Sequence, residues 1–219
     1  MKIRNVLIIY IVFVAMLLFK GLDKKRVYRD LNSEKNPLDM FTVAVLNDEL
    51  NEISFEWLDE RIDNAKYILA VECLEKTNFT ANCATQKVEV KKIFKGKNIK
   101  KGEKIDVLTI SCIFMKEEGF ERSALNKSYI NEFKIGKKYL LFLDEKIKNT
   151  NIYNTGECLL LPMFAYDDIK NKPCKATIEG ELSVYYKDFS DNEFFIETEE
   201  GLRKMEEYKK KIISKYPYE

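Results

Sequence analysis

Histidine is completely absent from the chain. Without an imidazole there is no Ser-His-Asp or Cys-His nucleophile system, no His-ligated zinc site and no imidazole acid or base. An excess of either charge is also lacking, because 37 Lys and Arg stand against 36 Asp and Glu. No overall field would therefore recruit nucleic acid. We predict no catalytic residue, no metal, no cofactor and no nucleic-acid partner, and hence a protein that is not an enzyme.

The cysteines do not follow a metal-binding pattern. There are five of them, and no C-x-x-C pair occurs: Cys73, Cys83, Cys112, Cys158 and Cys174. Intervals of 10 to 46 residues between them make a zinc ribbon improbable. In an oxidising compartment the alternative is disulfide bonds with one thiol left over.

One long apolar run is present, at residues 6–19, and lysines and arginines flank it on both sides. Its 14 residues fall between a membrane span of roughly 20 and a signal-peptide core of roughly 7–15. No A-x-A-like cleavage site follows it. The sequence therefore favours an uncleaved signal anchor over residues 1–23, in contact with lipid through residues 6–19, and a single-pass protein with its domain outside the cytoplasm. The alternatives are secretion after signal cleavage and a buried N-terminal helix.

The rest of the chain is predicted to be mainly β with flanking helices, an α+β protein. After the anchor we place a tether over residues 24–52, an OB-like β-barrel domain over 53–190 and a C-terminal amphipathic helix over 191–219. The alternating apolar and polar residues at 84–94 and the apolar run at 139–143 predict strands. Apolar residues at helical spacing predict a helix after Ser54 and another from Gly201. Several short antiparallel strands must close or expose their edges, which favours a barrel.

Two disulfide bonds are predicted from this arrangement. If a hairpin centres near Asn78, Cys73 lies opposite Cys83, and cross-strand Cβ atoms are about 4.5–5.5 Å apart. That spacing is a little long for an unstrained bond but allows it after local adjustment. Cys158 with Cys174 is a second pairing, which rests only on both residues flanking a predicted loop.

Four segments carry a resemblance to a known family: NAKYILAVE from Asn64, KVEVKKIFKG from Lys87, KGEKIDVL from Lys101 and FKIGKKYLLFL from Phe133. In this order they resemble bacterial exported domains with a netrin-like, tissue-inhibitor-of-metalloproteinase-like OB barrel, over residues 54–166. The resemblance implies a small closed barrel. In the animal inhibitors a mature N-terminal cysteine chelates the protease metal. Here no cysteine precedes Cys73, so inhibition is not carried over.

The predicted function is a membrane-anchored, extracytoplasmic, non-enzymatic binding or interaction domain for a protein or envelope ligand. One alternative is an exported enzyme that uses paired carboxylates or Cys112 as a nucleophile. Adjacent carboxylates such as Asp167 and Asp168 point to opposite faces of a strand, which makes an acid/base pair unfavourable. Another alternative is a structural component of the cell envelope that acts through the C-terminal helix.

Overall fold

The computed structural model describes residues 10–19, 30–47, 51–80, 82–116, 122–155, 161–175 and 182–219, with only the backbone for 51–54. The chain divides into two compact units, Met1–Lys35 and Asn36–Glu219. The first contains a helical segment at residues 10–19, here called α1, and a 3-10 turn at Leu31–Ser33, which the Asp30 side chain caps by accepting from the Asn32 N–H at 3.1 Å.

The membrane helix predicted from residues 6–19 is corrected by the structure. No helix among the described residues is long and apolar enough to cross a bilayer. Residues 6–9 lie outside the described part of the chain. The prediction of a single-pass membrane location is therefore wrong, and secretion after cleavage is not tested.

In its described residues the second unit contains two β-sheets and two α-helices. The large sheet has eight strands: β2 (Tyr67–Cys73), β3 (Asn78–Thr80), β4 (Cys83–Lys95), β5 (Lys104–Ile110), β8 (Lys138–Leu143), β9 (Glu145–Lys146), β10 (Ile152–Asn154) and β11 (Met163–Ala165). The small sheet has four: β1 (Thr42–Ala44), β6 (Cys112–Phe114), β7 (Ala124–Asn126) and β12 (Ser183–Tyr185). The helices are α2 (Asn51–Asn64) and α3 (Glu199–Lys215), and 3-10 turns occupy Pro37–Met40 and Tyr186–Asp188.

The closed barrel of antiparallel strands that the sequence predicted is also corrected. The strand order of the large sheet is the open path β11-β8-β2-β4-β5-β10-β9, with β3 added beside β4. Both sheets are mixed, because β10 runs parallel to β5 and β1 runs parallel to β7. A barrel needs its first and last strands to pair. In the described residues β11 and β9 are the two ends of this path and do not pair with each other. Four other strands form the separate small sheet.

The main core lies between the large sheet and the two helices. Strand β8 (KYLLFL) is buried from Tyr139 to Leu143 because it lies inside the sheet, between β11 and β2. A strand covered on both faces is apolar along its length rather than alternating. The helices supply Leu58 and Ile62 from α2, and Leu202, Met205 and Ile212 from α3. Spacings of three, four and seven residues place the apolar side chains of each helix on one of its faces.

Helix α3 begins at a side-chain cap that gives a first testable prediction. The Thr198 hydroxyl oxygen accepts a hydrogen bond from the Gly201 N–H at 3.0 Å. Replacing Thr198 with Ala removes this acceptor from the first turn, and we expect a loss of about 1 kcal/mol in the free energy of unfolding. Urea unfolding followed by circular dichroism measures it. The control Thr198→Ser keeps the hydroxyl and should lose less; equal losses for both variants would contradict the capping role.

Candidate functional site

The small sheet separates its side chains cleanly onto two faces. Val43 pairs with both Val184 and Leu125, and Leu125 pairs with Ile113. These four form a buried row, none more than 4% exposed. Because successive residues in a strand point to opposite faces, the residues on either side of each row member lie on the other face. We call that second face the outer face of the small sheet.

A cavity of about 460 Å³ lies on this outer face. Its wall includes side chains from all four strands and from the turn after β7: Thr42, Ala44, Phe114, Asn126, Ser128 and Ser183. The residues at the middle of the sheet are small, which leaves space between them and the larger Phe114 at the edge. The volume falls within the roughly 300–1,000 Å³ of small-molecule sites.

The turn that follows β7 has an unusual backbone. Ser128 and Tyr129 have φ values of 47° and 64°, in the left-handed region that non-glycine residues seldom enter. Backbone hydrogen bonds hold them there, since the Tyr129 carbonyl accepts from the Phe195 N–H at 2.8 Å and the Ser128 carbonyl from the Leu161 N–H at 3.4 Å. Such residues cluster at ligand sites. Both residues contribute to the cavity wall.

A buried ion pair lies behind the cavity. The Lys127 ammonium contacts the Glu132 carboxylate, and their side chains are 1% and 6% exposed. The other carboxylate oxygen of Glu132 accepts from the hydroxyls of Thr77 at 2.6 Å and Thr109 at 3.0 Å. Burial lowers the pKa of Lys127, and the charge of Glu132 opposes that shift. The two charges therefore satisfy each other and the threonines, and Lys127 is one of the residues that line the cavity.

The neighbour of Glu132 in the chain, Asn131, connects the ion pair to the end of the small sheet. Its side-chain oxygen accepts from the Glu132 N–H at 2.7 Å and from the Tyr186 hydroxyl at 2.8 Å. Its amide group donates to the carbonyls of Ser190 and Asn192 at 2.8 and 2.6 Å. Burial raises the pKa of the Tyr186 hydroxyl above its ordinary value. These hydrogen bonds between uncharged groups fix the position of Asn131, next to the ion pair behind the cavity.

The structure does not bring the predicted disulfide partners together. Cys73 pairs with Val88 on β4, whereas Cys83 begins β4, and both are free thiols. Cys174 is a buried free thiol that accepts from the Asn192 amide at 3.3 Å. Cys158 lies outside the described residues, so the second predicted pairing has no structural description.

Asp167, one of the two adjacent carboxylates considered as a catalytic pair, forms a surface ion pair instead. It contacts Lys137 at 2.7 Å, and both side chains are at least 43% exposed. The described residues contain no group of three or more His, Cys, Asp or Glu side chains placed to hold a metal ion.

Sequence reasoning missed the residues that build this site. The segment from Leu125 to Lys134 mixes polar and apolar residues without a regular period and contains no motif, so nothing marks Lys127 and Glu132 as buried. Lysine and glutamate are usually exposed unless paired. The only local signal is the spacing of five residues between them, which has no preferred geometry in a loop.

Comparison with known proteins adds no family to this description: no protein-family model matches the chain, and no curated protein matches its sequence.

Proposed function

We propose that the chain is a non-enzymatic binding domain and that its ligand occupies the cavity on the outer face of the small sheet. The observation that carries this proposal is the lining of a cavity of about 460 Å³ by side chains from four strands and a strained turn. Strands and a turn fixed by hydrogen bonds preorganise the wall, which reduces the entropy lost on binding. The membrane attachment predicted from the sequence is not part of this proposal.

The chemistry of the wall favours a neutral, hydroxyl-rich ligand such as a mono- or disaccharide. Asn126 carries an amide, and Thr42, Ser128 and Ser183 carry hydroxyls. The Thr42 hydroxyl donates to the Ser123 carbonyl at 3.3 Å, and its oxygen can also accept a hydrogen bond, so the wall presents polar groups of both kinds. Phe114 supplies an apolar ring face. Among the described residues of the wall, the one that carries a charge is Lys127, and Glu132 behind it neutralises that charge. A charged ligand would lose its hydration here and gain no opposite charge in return.

The same features make catalysis the weaker hypothesis. A general acid or base needs a titratable group that can exchange a proton with the ligand. Lys127 and Glu132 are titratable, but they are buried and paired with each other, and two threonine hydroxyls donate to Glu132. Neither group is therefore placed to exchange a proton with a ligand. An enzyme that uses carboxylates or Cys112, and a structural role through α3, remain the alternative hypotheses.

A titration with defined sugars tests the proposal. We expect glucose, N-acetylglucosamine or maltose to shift amide NMR signals of Phe114, Asn126 and Ser183, and the charged analogues glucuronate and glucosamine to bind more weakly. Replacing the exposed wall residue Ala44 with Trp fills the cavity, and should weaken binding at least about tenfold, because the ligand and the indole compete for one volume.

The matched control is Ile135→Trp. Ile135 is 55% exposed in the turn before β8 and is not part of the cavity wall. This variant carries the same indole and should bind as the unmodified protein does. No response to any of the neutral sugars, or equal weakening by both tryptophans, would overturn the assignment of the cavity as a saccharide site.

A further inference from the structure

Two cysteines that were not predicted to pair with each other are half-buried at the junction of the two sheets. Cys83 is the first residue of β4 in the large sheet, and Cys112 is the first residue of β6 in the small sheet. The chain passes from β5 to β6 through a single residue, Ser111. The end of β5 and the start of β6 therefore both lie near the start of β4.

Backbone pairing on either side fixes the two cysteines relative to each other. Ala84 pairs with Ile110 in the antiparallel ladder of β4 and β5. On the far side, the Asn82 carbonyl accepts a hydrogen bond from the Ile113 N–H at 2.8 Å. Between these two anchors, β4 contributes one residue and the opposing chain contributes two.

The single residue is Cys83, and the two that oppose it are Ser111 and Cys112. Two residues facing one is the arrangement of a β-bulge. Residues opposite each other in antiparallel strands have Cα atoms about 4.5–5.5 Å apart. Disulfide bonds join cysteines whose Cα atoms lie about 4.4–6.8 Å apart. The two ranges overlap, so this register allows the Cα atoms of Cys83 and Cys112 to lie at a distance that a disulfide bond can span.

The other described cysteines are in a different environment. Cys73 and Cys174 are buried, and burial raises the pKa of each thiol to about 11. A raised pKa keeps the sulfur as the unreactive thiol at neutral pH. Cys83 and Cys112 are partly open to solvent, and the Cys83 sulfur lies 3.4 Å from the hydroxyl of Thr80, which is itself exposed. Small thiol reagents can reach this pair.

We propose that Cys83 and Cys112 are a redox pair, which forms a reversible disulfide bond with a small-molecule disulfide such as glutathione disulfide as oxidant. The thiolate of one cysteine attacks the oxidant, breaks its S–S bond and releases one glutathione thiolate. The thiolate of the other cysteine then attacks the mixed disulfide and releases the second glutathione. The protein loses two protons and two electrons, and the oxidant is reduced to two thiols.

The bond would fasten the edge strand of the small sheet to the large sheet. Strand β6 is the last strand of the small sheet, paired only with β7 on the described path. Phe114, two residues after Cys112, lines the outer-face cavity. Oxidation would therefore hold one wall of that cavity in place. This consequence concerns the cavity, but the redox pair itself does not depend on what the cavity binds.

Thiol mapping on the full chain tests the proposal. The reduced protein is equilibrated at pH 8 with excess glutathione disulfide, quenched with acid, denatured, alkylated and digested for mass spectrometry. We expect the protein to lose two of its five thiols and to give a peptide that links Cys83 with Cys112. The melting temperature of the oxidised form should rise by roughly 5–10 °C, since the bond closes a loop in the unfolded chain.

Three variants complete the experiment. Cys83→Ser and Cys112→Ser should each keep all their remaining thiols free of intramolecular bonds, whereas the control Cys158→Ser should still form the linked peptide. Serine is tolerated at half-buried positions, and circular dichroism checks that each variant folds. The proposal is overturned if Cys83 and Cys112 both remain as thiols in the folded protein, or if either bonds to another cysteine.

Discussion

Replacing Glu132 with Gln is expected to destabilise the protein by about 3–5 kcal/mol at pH 7. The substitution keeps the shape of the side chain but leaves the ammonium of Lys127, 1% exposed, without its counter-charge. Breaking a buried ion pair by removing one partner has a cost of this size, because the remaining charge is both desolvated and unpaired. Urea unfolding measured by circular dichroism and by Trp57 fluorescence gives the free energy, and agreement of the two probes checks two-state behaviour.

The double variant Lys127→Met/Glu132→Gln separates the charge from the packing. With the ammonium gone, the amide oxygen introduced at position 132 can still accept from Thr77 and Thr109, so we expect most of the lost stability to return. At pH 10 the deficit of the single variant should shrink, because burial already lowers the pKa of Lys127 and the neutral amine then forms readily. A double variant that is less stable than the single variant would contradict this account.

A surface pair provides the matched control. Glu75 contacts Lys87 at 3.0 Å, but their side chains are 58% and 36% exposed. Solvent screens such pairs, and their contribution to stability is small. Glu75→Gln should leave the urea midpoint unchanged within error. The same chemical change at two sites thus isolates the effect of burial.

Local patterns in the sequence predicted many of the elements but not their assembly. The alternation in residues 84–94 corresponds to β4, the apolar run at 139–143 to β8, and the helical spacing from Gly201 to α3. These signals depend only on neighbours a few residues away. The pairing of β1 with β12 joins Thr42 to Tyr185, and each strand has only three residues. Three residues carry no readable period, so the small sheet and its cavity could not be predicted.

The predicted bond between Cys73 and Cys83 rests on a strand register that differs from the one in the structure. The prediction assumed that a single turn follows Cys73, and such a turn would pair β2 directly with the start of β4. The structure inserts β3, whose Thr80 pairs with Cys83. Because β3 occupies that position, β2 pairs further along β4, where Cys73 meets Val88. A short extra strand therefore displaced the register and left Cys83 opposite a threonine.

The second large effect is expected from Lys209→Met, and it should depend strongly on pH. Lys209 lies on α3, where its ammonium contacts the Glu193 carboxylate at 2.6 Å and the Asp167 carbonyl at 3.0 Å. The other oxygen of Glu193 accepts from the Ala165 N–H at 2.7 Å. Burial raises the pKa of Glu193 above its ordinary value of 4.5. The positive charge of Lys209 and its hydrogen bond lower the pKa and so make this rise smaller. Without Lys209 the pKa of Glu193 should rise further.

The direction of the pH dependence follows from linkage. A carboxyl whose pKa is raised by folding stabilises the folded state below its unfolded pKa, near 4.5, and that contribution is lost as the pH rises to the folded pKa. Over that interval the loss is about 1.4 kcal/mol for each pH unit. We therefore expect the deficit of Lys209→Met to be about 2–3 kcal/mol larger at pH 7 than at pH 4. Urea unfolding at the two pH values measures the difference.

Two further variants decide whether Glu193 is the group responsible. In Lys209→Met/Glu193→Gln no buried carboxyl remains at this site to titrate, so the extra deficit at pH 7 should disappear while the loss of the hydrogen bond to Asp167 persists at both pH values. Lys204→Met removes an exposed partner of Glu200, 3.7 Å away, and should show no pH-dependent change. If the deficit of Lys209→Met is the same at pH 4 and pH 7, the carboxylate of Glu193 does not depend on Lys209 for its charge.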